Sequence, residues 1–218
     1  MAINEHLVTY QHTNTYETLN ELTENTKNVW FVFHGMGFLS RYFLKYFKGL
    51  DPRENYIIAP QAPSKYYLKD DFKHVGASWL TKEATELEIE NILRYLDSVK
   101  KAENIGNDKR ILLFGFSQGV SVVLRWFVRR NVNCSLLVLY AGGIPNEIKK
   151  GDLKSVSANA TQVKVIYGDN DVFLTKERLQ EEKLKIESLF GKKAEIINFE
   201  GGHELRPDII GRIANTLA

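Results

Sequence analysis

"RILLFGFSQGVSVVLRWFVRR", residues 110–130, decides the fold, because it changes character at its seventh residue. Up to Phe116 it is a continuous apolar run, the pattern of a strand covered on both faces, and from Gln118 onward it is patterned as a helix. Between the two stands Ser117, with Gly115 and Gly119 two residues away on either side. A strand that passes directly into a helix turns so tightly that the corner residue is strained, and a side chain at either flanking glycine would run into neighbouring backbone. The spacing therefore presents one hydroxyl at a strand tip. It also sets Ser117 at a helix N-terminus, where free N–H groups and the positive end of the dipole favour developing negative charge.

Working outward, five more short apolar runs are expected as strands: NVWFVF (28–33), YIIAP (56–60), CSLLVLY (134–140), VKVIYG (163–168) and AEIINF (194–199). Helical patterns lie between them. In TKEATELEIENILRYLDSVKKA (81–102), Leu87, Ile89, Ile92, Leu93 and Leu96 form an apolar stripe, with Thr81 as the expected N-cap. Another helix is expected around 175–190, and a last one in RPDIIGRIANTLA, with Pro207 in its first turn. Strands alternating with helices imply an α/β fold built on a mainly parallel, doubly wound sheet with helices on both faces. The polar stretch 5–23, which alternates partly in HLVTYQ, is expected to supply an edge hairpin. No repeat or linker interrupts the 218 residues, so one domain is expected over 1–218. The gap between the runs ending at 140 and beginning at 163 is too short for a large helical cap.

Composition excludes several classes. With 44% hydrophobic and 26% charged residues, neither disorder nor a fibrous repeat is favoured. The formal net charge is +2 and no long basic run occurs, so nucleic acid is not an expected partner. No leader pattern opens the chain and no apolar stretch approaches the ~20 residues of a membrane span, so a soluble, cytoplasmic protein without stable membrane insertion is expected. Cys134 is the only cysteine and is read as an inert strand residue. The five histidines show no paired ligand spacing, so neither a metal nor a cofactor is expected.

In a doubly wound sheet ligands bind beyond the carboxyl ends of the strands, so the residues after each run are the informative ones. They are His34-Gly35-Met36-Gly37, Ser117-Gln118-Gly119, Gly168-Asp169-Asn170-Asp171, and Glu200-Gly201-Gly202-His203-Glu204. A serine hydroxyl needs a neighbouring base, and His203 is the candidate. The imidazole in turn needs a carboxylate to orient it. Asp171 is preferred over Asp169, which directly follows the strand glycine and has the character of a turn former.

Together HGMG, GFSQG, GDND and GGH resemble the α/β-hydrolase superfamily and, more narrowly, the phospholipase/carboxylesterase family that includes the acyl-protein thioesterases. APQAPSKYY (59–67) and GASWL (76–80) are similar to that family's proline-rich turn and tryptophan-bearing segment. The resemblance runs from about residue 28 to the C-terminus. It implies a catalytic triad of Ser117, Asp171 and His203, with the backbone N–H groups of Met36 and Gln118 as an oxyanion hole. Val172 where the family usually has proline, and Val120 where it has a second glycine, mark a divergent member.

Other positions are read more plainly. His34 is expected to pack or bond locally, and His6, His12 and His74 to lie at the surface. The aromatic stripe of FLSRYFLKYFKGL is expected in the core, with Phe38 facing an acyl pocket. Trp79 is expected either in the core or shaping the substrate groove. The function that follows is cleavage of carboxylic esters of short to medium acyl chains through an acyl-enzyme. The alternative substrates are thioesters, an acylated protein or a lysophospholipid, and from another class a non-catalytic binding module on the same fold.

Overall fold

Seven strands form one sheet in the order β1-β3-β2-β6-β7-β8-β9. The structure is a computed structural model and describes residues 3–153 and 161–217. The strands are β1 (Tyr16–Leu19), β2 (Asn28–Phe33), β3 (Asn55–Pro60), β6 (Arg110–Phe116), β7 (Leu136–Tyr140), β8 (Gln162–Gly168) and β9 (Ala194–Phe199). All neighbours are parallel except β1, which pairs antiparallel with β3. The remaining two strands, β4 (Ser64–Tyr67) and β5 (Val75–Ser78), make a separate antiparallel hairpin. The helices are α1 (Ser40–Phe43, continued by a 3-10 turn over Leu44–Phe47), α2 (Thr85–Glu103), α3 (Gln118–Arg129), α4 (Lys176–Phe190) and α5 (Pro207–Asn215).

The continuous apolar runs exist because both faces of the sheet are covered. Along β2, Val29, Phe31 and Phe33 enter one core cluster with residues of α2, α3 and α4, while Trp30 and Val32 enter the other with Phe43, Phe47 and residues of α5. Every residue of β2 is buried, as is every residue of β3. The edge strand β9 is covered less completely, and only Phe199 of it is buried. Helix α3 is held behind its strand by both packing and charge: Trp126 is buried, its indole N–H donates to Asp97 Oδ1 at 2.9 Å, and Arg130 reaches Asp97 and Glu90 of α2 at 2.7 Å each.

Three local expectations are corrected. The segment 5–23 supplies a single edge strand and not a hairpin: Leu7, Val8 and Tyr10 are exposed, with no partner strand against which their alternation can bury apolar surface. Thr81 is not the cap of α2. Its hydroxyl accepts the Glu83 N–H at 3.2 Å in a local turn, and the helix starts at Thr85 after Ala84 in a left-handed conformation. Leu87 is 46% exposed, because the buried stripe is Ile89, Ile92, Leu93, Leu96 and Val99, and a residue two positions before Ile89 points away from it. In the connection expected to lack a cap, the described residues 141–153 carry one 3-10 turn, Lys150–Asp152, and residues 154–160 lie outside the described residues.

Candidate active site

Strand register brings the informative loops together. Phe33 pairs with Gly115, so the turn after β2 emerges beside the corner after β6. Gly168 pairs with Phe199, so the loops carrying Asp171 and His203 emerge side by side. From β9 to β6 is three strand spacings, about 14 Å. The loop 200–206 runs back over the strand ends to cover that distance, where the Arg206 N–H donates to Tyr140 Oη at 3.1 Å.

Ser117 occupies φ 53°, ψ −118°, a left-handed region that non-glycine residues rarely adopt. The strain is of order 1–3 kcal/mol. It is sustained by the Ser117 N–H to Tyr140 C=O bond at 2.8 Å and by the absence of Cβ atoms nearby. A Cβ on Gly115 would lie 2.5 Å from Gly119 O, one on Gly119 2.1 Å from Phe33 O, and one on Gly142 2.3 Å from Ser117 O. The flanking glycines therefore let helix α3 enter against the backbone of β2.

His203 Nε2 lies 2.9 Å from Ser117 Oγ, and His203 Nδ1 lies 2.7 Å from Asp171 Oδ2. With Nδ1–H donating to the carboxylate, Nε2 is left to accept the serine proton. Asp171 Oδ1 accepts the Phe173 N–H at 2.9 Å, so both carboxylate oxygens are engaged, and the Asp171 side chain is fully buried. Asp169 does not reach the histidine: Oδ1 accepts from Gly201 N–H at 3.0 Å and from the Asn170 amide at 2.8 Å, which ties the two loops together. The imidazole is sandwiched by Phe116, centroids 5.1 Å apart, and by the edge contact of Phe173 at 4.7 Å. Sequence reasoning missed Phe173. Its place two residues after Asp171, in GDNDVF, was the available signal.

Met36 stands in the turn 34–37 with its side chain exposed, and Gln118 is the first residue of α3. A Cβ on Gly35 would come within 3.1 Å of both Ser117 Cβ and a Phe116 ring carbon, so this turn is in contact with the serine. His34 is wholly buried: Nδ1 donates to Gly35 C=O at 2.8 Å, Nε2 accepts the Ala62 N–H at 3.2 Å, and burial lowers its pKa to about 4. It is a neutral packing residue of the turn. Of the two expected pocket residues, Phe38 lines a cleft of about 330 Å³ with Leu39, Leu68 and Val75, rimmed by Arg41 and Lys73. Trp79 does not line that cleft. It is 1% exposed, packs edge-on against Phe33 at 5.9 Å, and its indole N–H donates to His34 C=O at 2.9 Å, which fixes it in the core. Among the described residues no group of three or more His, Cys, Asp or Glu is placed to hold a metal ion, and no helix is long and apolar enough to cross a membrane.

A mostly parallel sheet with a strained serine at the β6–α3 corner and a histidine and an acid on the loops after β9 and β8 is the architecture of an α/β-hydrolase. Residues 14–218 match the phospholipase/carboxylesterase family, and the chain belongs to it. No curated protein matches the chain. Similar solved structures include acyl-protein thioesterase 2 of Zea mays (16% identity, 94% of this chain and 98% of that one covered, TM-score 0.69). A phospholipase/carboxylesterase of Dyadobacter fermentans (22%, 96% and 98%, 0.65) and esterase PE8 (17%, 94% and 99%, 0.68) are similar as well. At these identities the likeness carries the fold. The chain is thus a hydrolase of this family.

Proposed function

We propose that this hydrolase cleaves carboxylic esters of short to medium acyl chains through an acyl-enzyme, with the described sheet and helices as the frame of one domain spanning the 218 residues. The observation that carries the reading is the unbroken chain Asp171–His203–Ser117, with contacts of 2.7 and 2.9 Å and the serine held in a strained corner. In this mechanism His203 takes the Ser117 proton as Oγ attacks the ester carbonyl, and Asp171 stabilises the imidazolium that forms. The N–H groups of Met36 and Gln118 receive the oxyanion, the latter at the positive end of α3. His203 then returns the proton to the leaving alcohol, and water repeats the sequence on the acyl-enzyme. No step calls for a cofactor.

The acyl part is assigned to the side of the serine where Phe38 packs edge-on against Phe116, ring centroids 6.0 Å apart. A second reading, an acyl-protein thioesterase or lysophospholipase, is favoured by the exposed apolar side chains of Met36, Val172 and Phe173 around the site and by the name of the maize relative. Hydrolysis of p-nitrophenyl esters from acetate to palmitate by the native protein and Ser117→Ala tests both. Turnover that peaks at short chains and vanishes in the variant supports the first reading. A peak at the longest chains supports the second, and turnover that survives the substitution rejects the acyl-enzyme.

A further inference from the structure

On the side of Ser117 away from His203, a set of buried and part-buried hydrogen bonds converges on residues 77–80. Ala77 C=O accepts the Gly37 N–H at 2.8 Å, and the Trp79 indole N–H donates to His34 C=O at 2.9 Å. The turn that carries Met36 is therefore pinned on both flanks by one short segment. That segment is gripped from α3 by the side chain of Gln118: Oε1 accepts the Trp79 N–H at 2.8 Å, and Nε2 donates to Leu80 C=O at 2.7 Å and to Ser78 Oγ at 3.1 Å. The Ser78 hydroxyl passes its own proton to Leu80 C=O at 3.0 Å. Because the amide oxygen faces a backbone donor and the amide nitrogen a backbone acceptor, only one orientation of Gln118 satisfies all partners. His34, Ala77, Ser78 and Trp79 are all buried and Gln118 and Leu80 half-buried, so these bonds are largely shielded from water.

We infer that residues 77–80 are a strut that sets the spacing between the two oxyanion donors, with the Gln118 side chain and the Trp79 indole as positioning residues acting through the backbones of Gln118 and Met36. The inference rests on the acyl-enzyme reading above. Its physical basis is that neither donor fixes the other. The first N–H of α3 is set by the helix, whereas Met36 sits in a turn flanked by Gly35 and by Gly37 at φ +84°, a backbone with little stiffness of its own. An oxyanion is stabilised only by donors at about 2.7–3.1 Å, and a misplacement of about 1 Å costs on the order of 100-fold in rate. A shared brace, tied to His34 and Gly37 on one side and to Gln118 on the other, supplies the missing constraint.

The test compares Gln118→Met and Trp79→Phe with the native protein on p-nitrophenyl butyrate and with a trifluoromethyl ketone, which binds as an oxyanion, against its methyl ketone counterpart. In both variants kcat is expected to fall about 10- to 100-fold with KM within about twofold. Affinity for the trifluoromethyl ketone should fall in step with kcat/KM, affinity for the methyl ketone should stay constant, and the pH midpoint of kcat/KM should not move. Loss of general packing would not separate the two ketones. A kcat within twofold of native, an unchanged trifluoromethyl ketone affinity, or a displaced pH midpoint would each overturn the strut. If Gln118→Met does not fold, Trp79→Phe decides by the same readouts. Full activity in Gln118→Met removes only the strut, whereas full activity in Ser117→Ala removes the acyl-enzyme reading beneath it.

Discussion

Ser117 stands between two supports built on opposite principles. On the side of the histidine, the contacts come from two loops at the sheet's far edge, 169–173 and 200–206, and reach the surface: Phe173, which touches the imidazole, is 59% exposed. On the side of the turn 34–37 each contact has a main-chain group as one partner, meeting main chain, the Gln118 amide or the Trp79 indole, and His34, Ala77 and Trp79 lie in the core. The first support is specified by which side chains are present, the second by where the main chain is held. Substitutions on the first should therefore erase chemistry while sparing the fold, and those on the second should disturb both.

The largest effect is expected at the junction. Ser117→Ala should lower kcat by a factor of about 10⁴ or more, with thermal unfolding nearly unchanged because alanine keeps the Cβ and the same backbone corner and loses only the hydroxyl's contact with His203. Retained turnover would show that the two supports do not meet at a nucleophile. Next is Asp171→Asn on the proton-moving side. The amide can leave the imidazole in the wrong tautomer, and kcat should fall about 10²- to 10⁴-fold while circular dichroism stays native. A matching loss of stability would erase the contrast between the sides.

On the backbone side, Gly119→Ala forces a Cβ to within 2.1 Å of Phe33 O, a contact that only a shift of α3 relieves. A loss of about 1–3 kcal/mol in denaturant unfolding is expected together with lost activity, and unaltered stability would mean the two backbones are not in contact. His34 gives a pH-dependent version of the same test. Burial lowers its pKa to about 4, below the unfolded value of about 6.5, so the unfolded chain binds the extra proton. Folding stability should then decline as pH falls from about 6.5 to about 4, by at most about 1.4 kcal/mol per unit from this group. His34→Gln should show a shallower decline across that window; equal slopes would mean the ring is not held neutral by its surroundings. The smallest effect is expected for Phe173→Ala, which removes the edge contact with His203: kcat lower by about twofold to fivefold and stability within about 0.5 kcal/mol of native.

The two sides also differ in how much of them the sequence discloses. Strands 28–33 and 110–116 lie where the apolar runs place them, because a run buried on both faces has no competing period, and 194–199 also lies where its run places it although it is only partly covered. That Ser117, His203 and Asp171 come together was legible as well: Ser117 directly follows its run, Asp171 and His203 lie in the loops that follow theirs, and parallel pairing carries strand ends to one edge of the sheet. Thr81 and Leu87 were misplaced because α2 starts four residues later than its first good capping side chain, and the start sets which residues face inward. Trp79 and the Gln118 side chain were illegible for a different reason. Their roles depend on contacts about 40 residues away in sequence, between a hairpin outside the main sheet and a helix behind it, and no local period records such a meeting.

The lone thiol has a practical consequence. Cys134 is buried beneath Thr161, which donates to its carbonyl at 2.8 Å, and burial pushes its pKa up to about 12. Thiolate is the form that reacts with maleimides, so the native chain is effectively silent toward such reagents at neutral pH. A single cysteine introduced at exposed Tyr67, the last residue of β4, or at exposed Phe72, between β4 and β5, would take up one fluorophore at one known place. The protein thus provides its own dark background for watching the hairpin by fluorescence as candidate substrates are added.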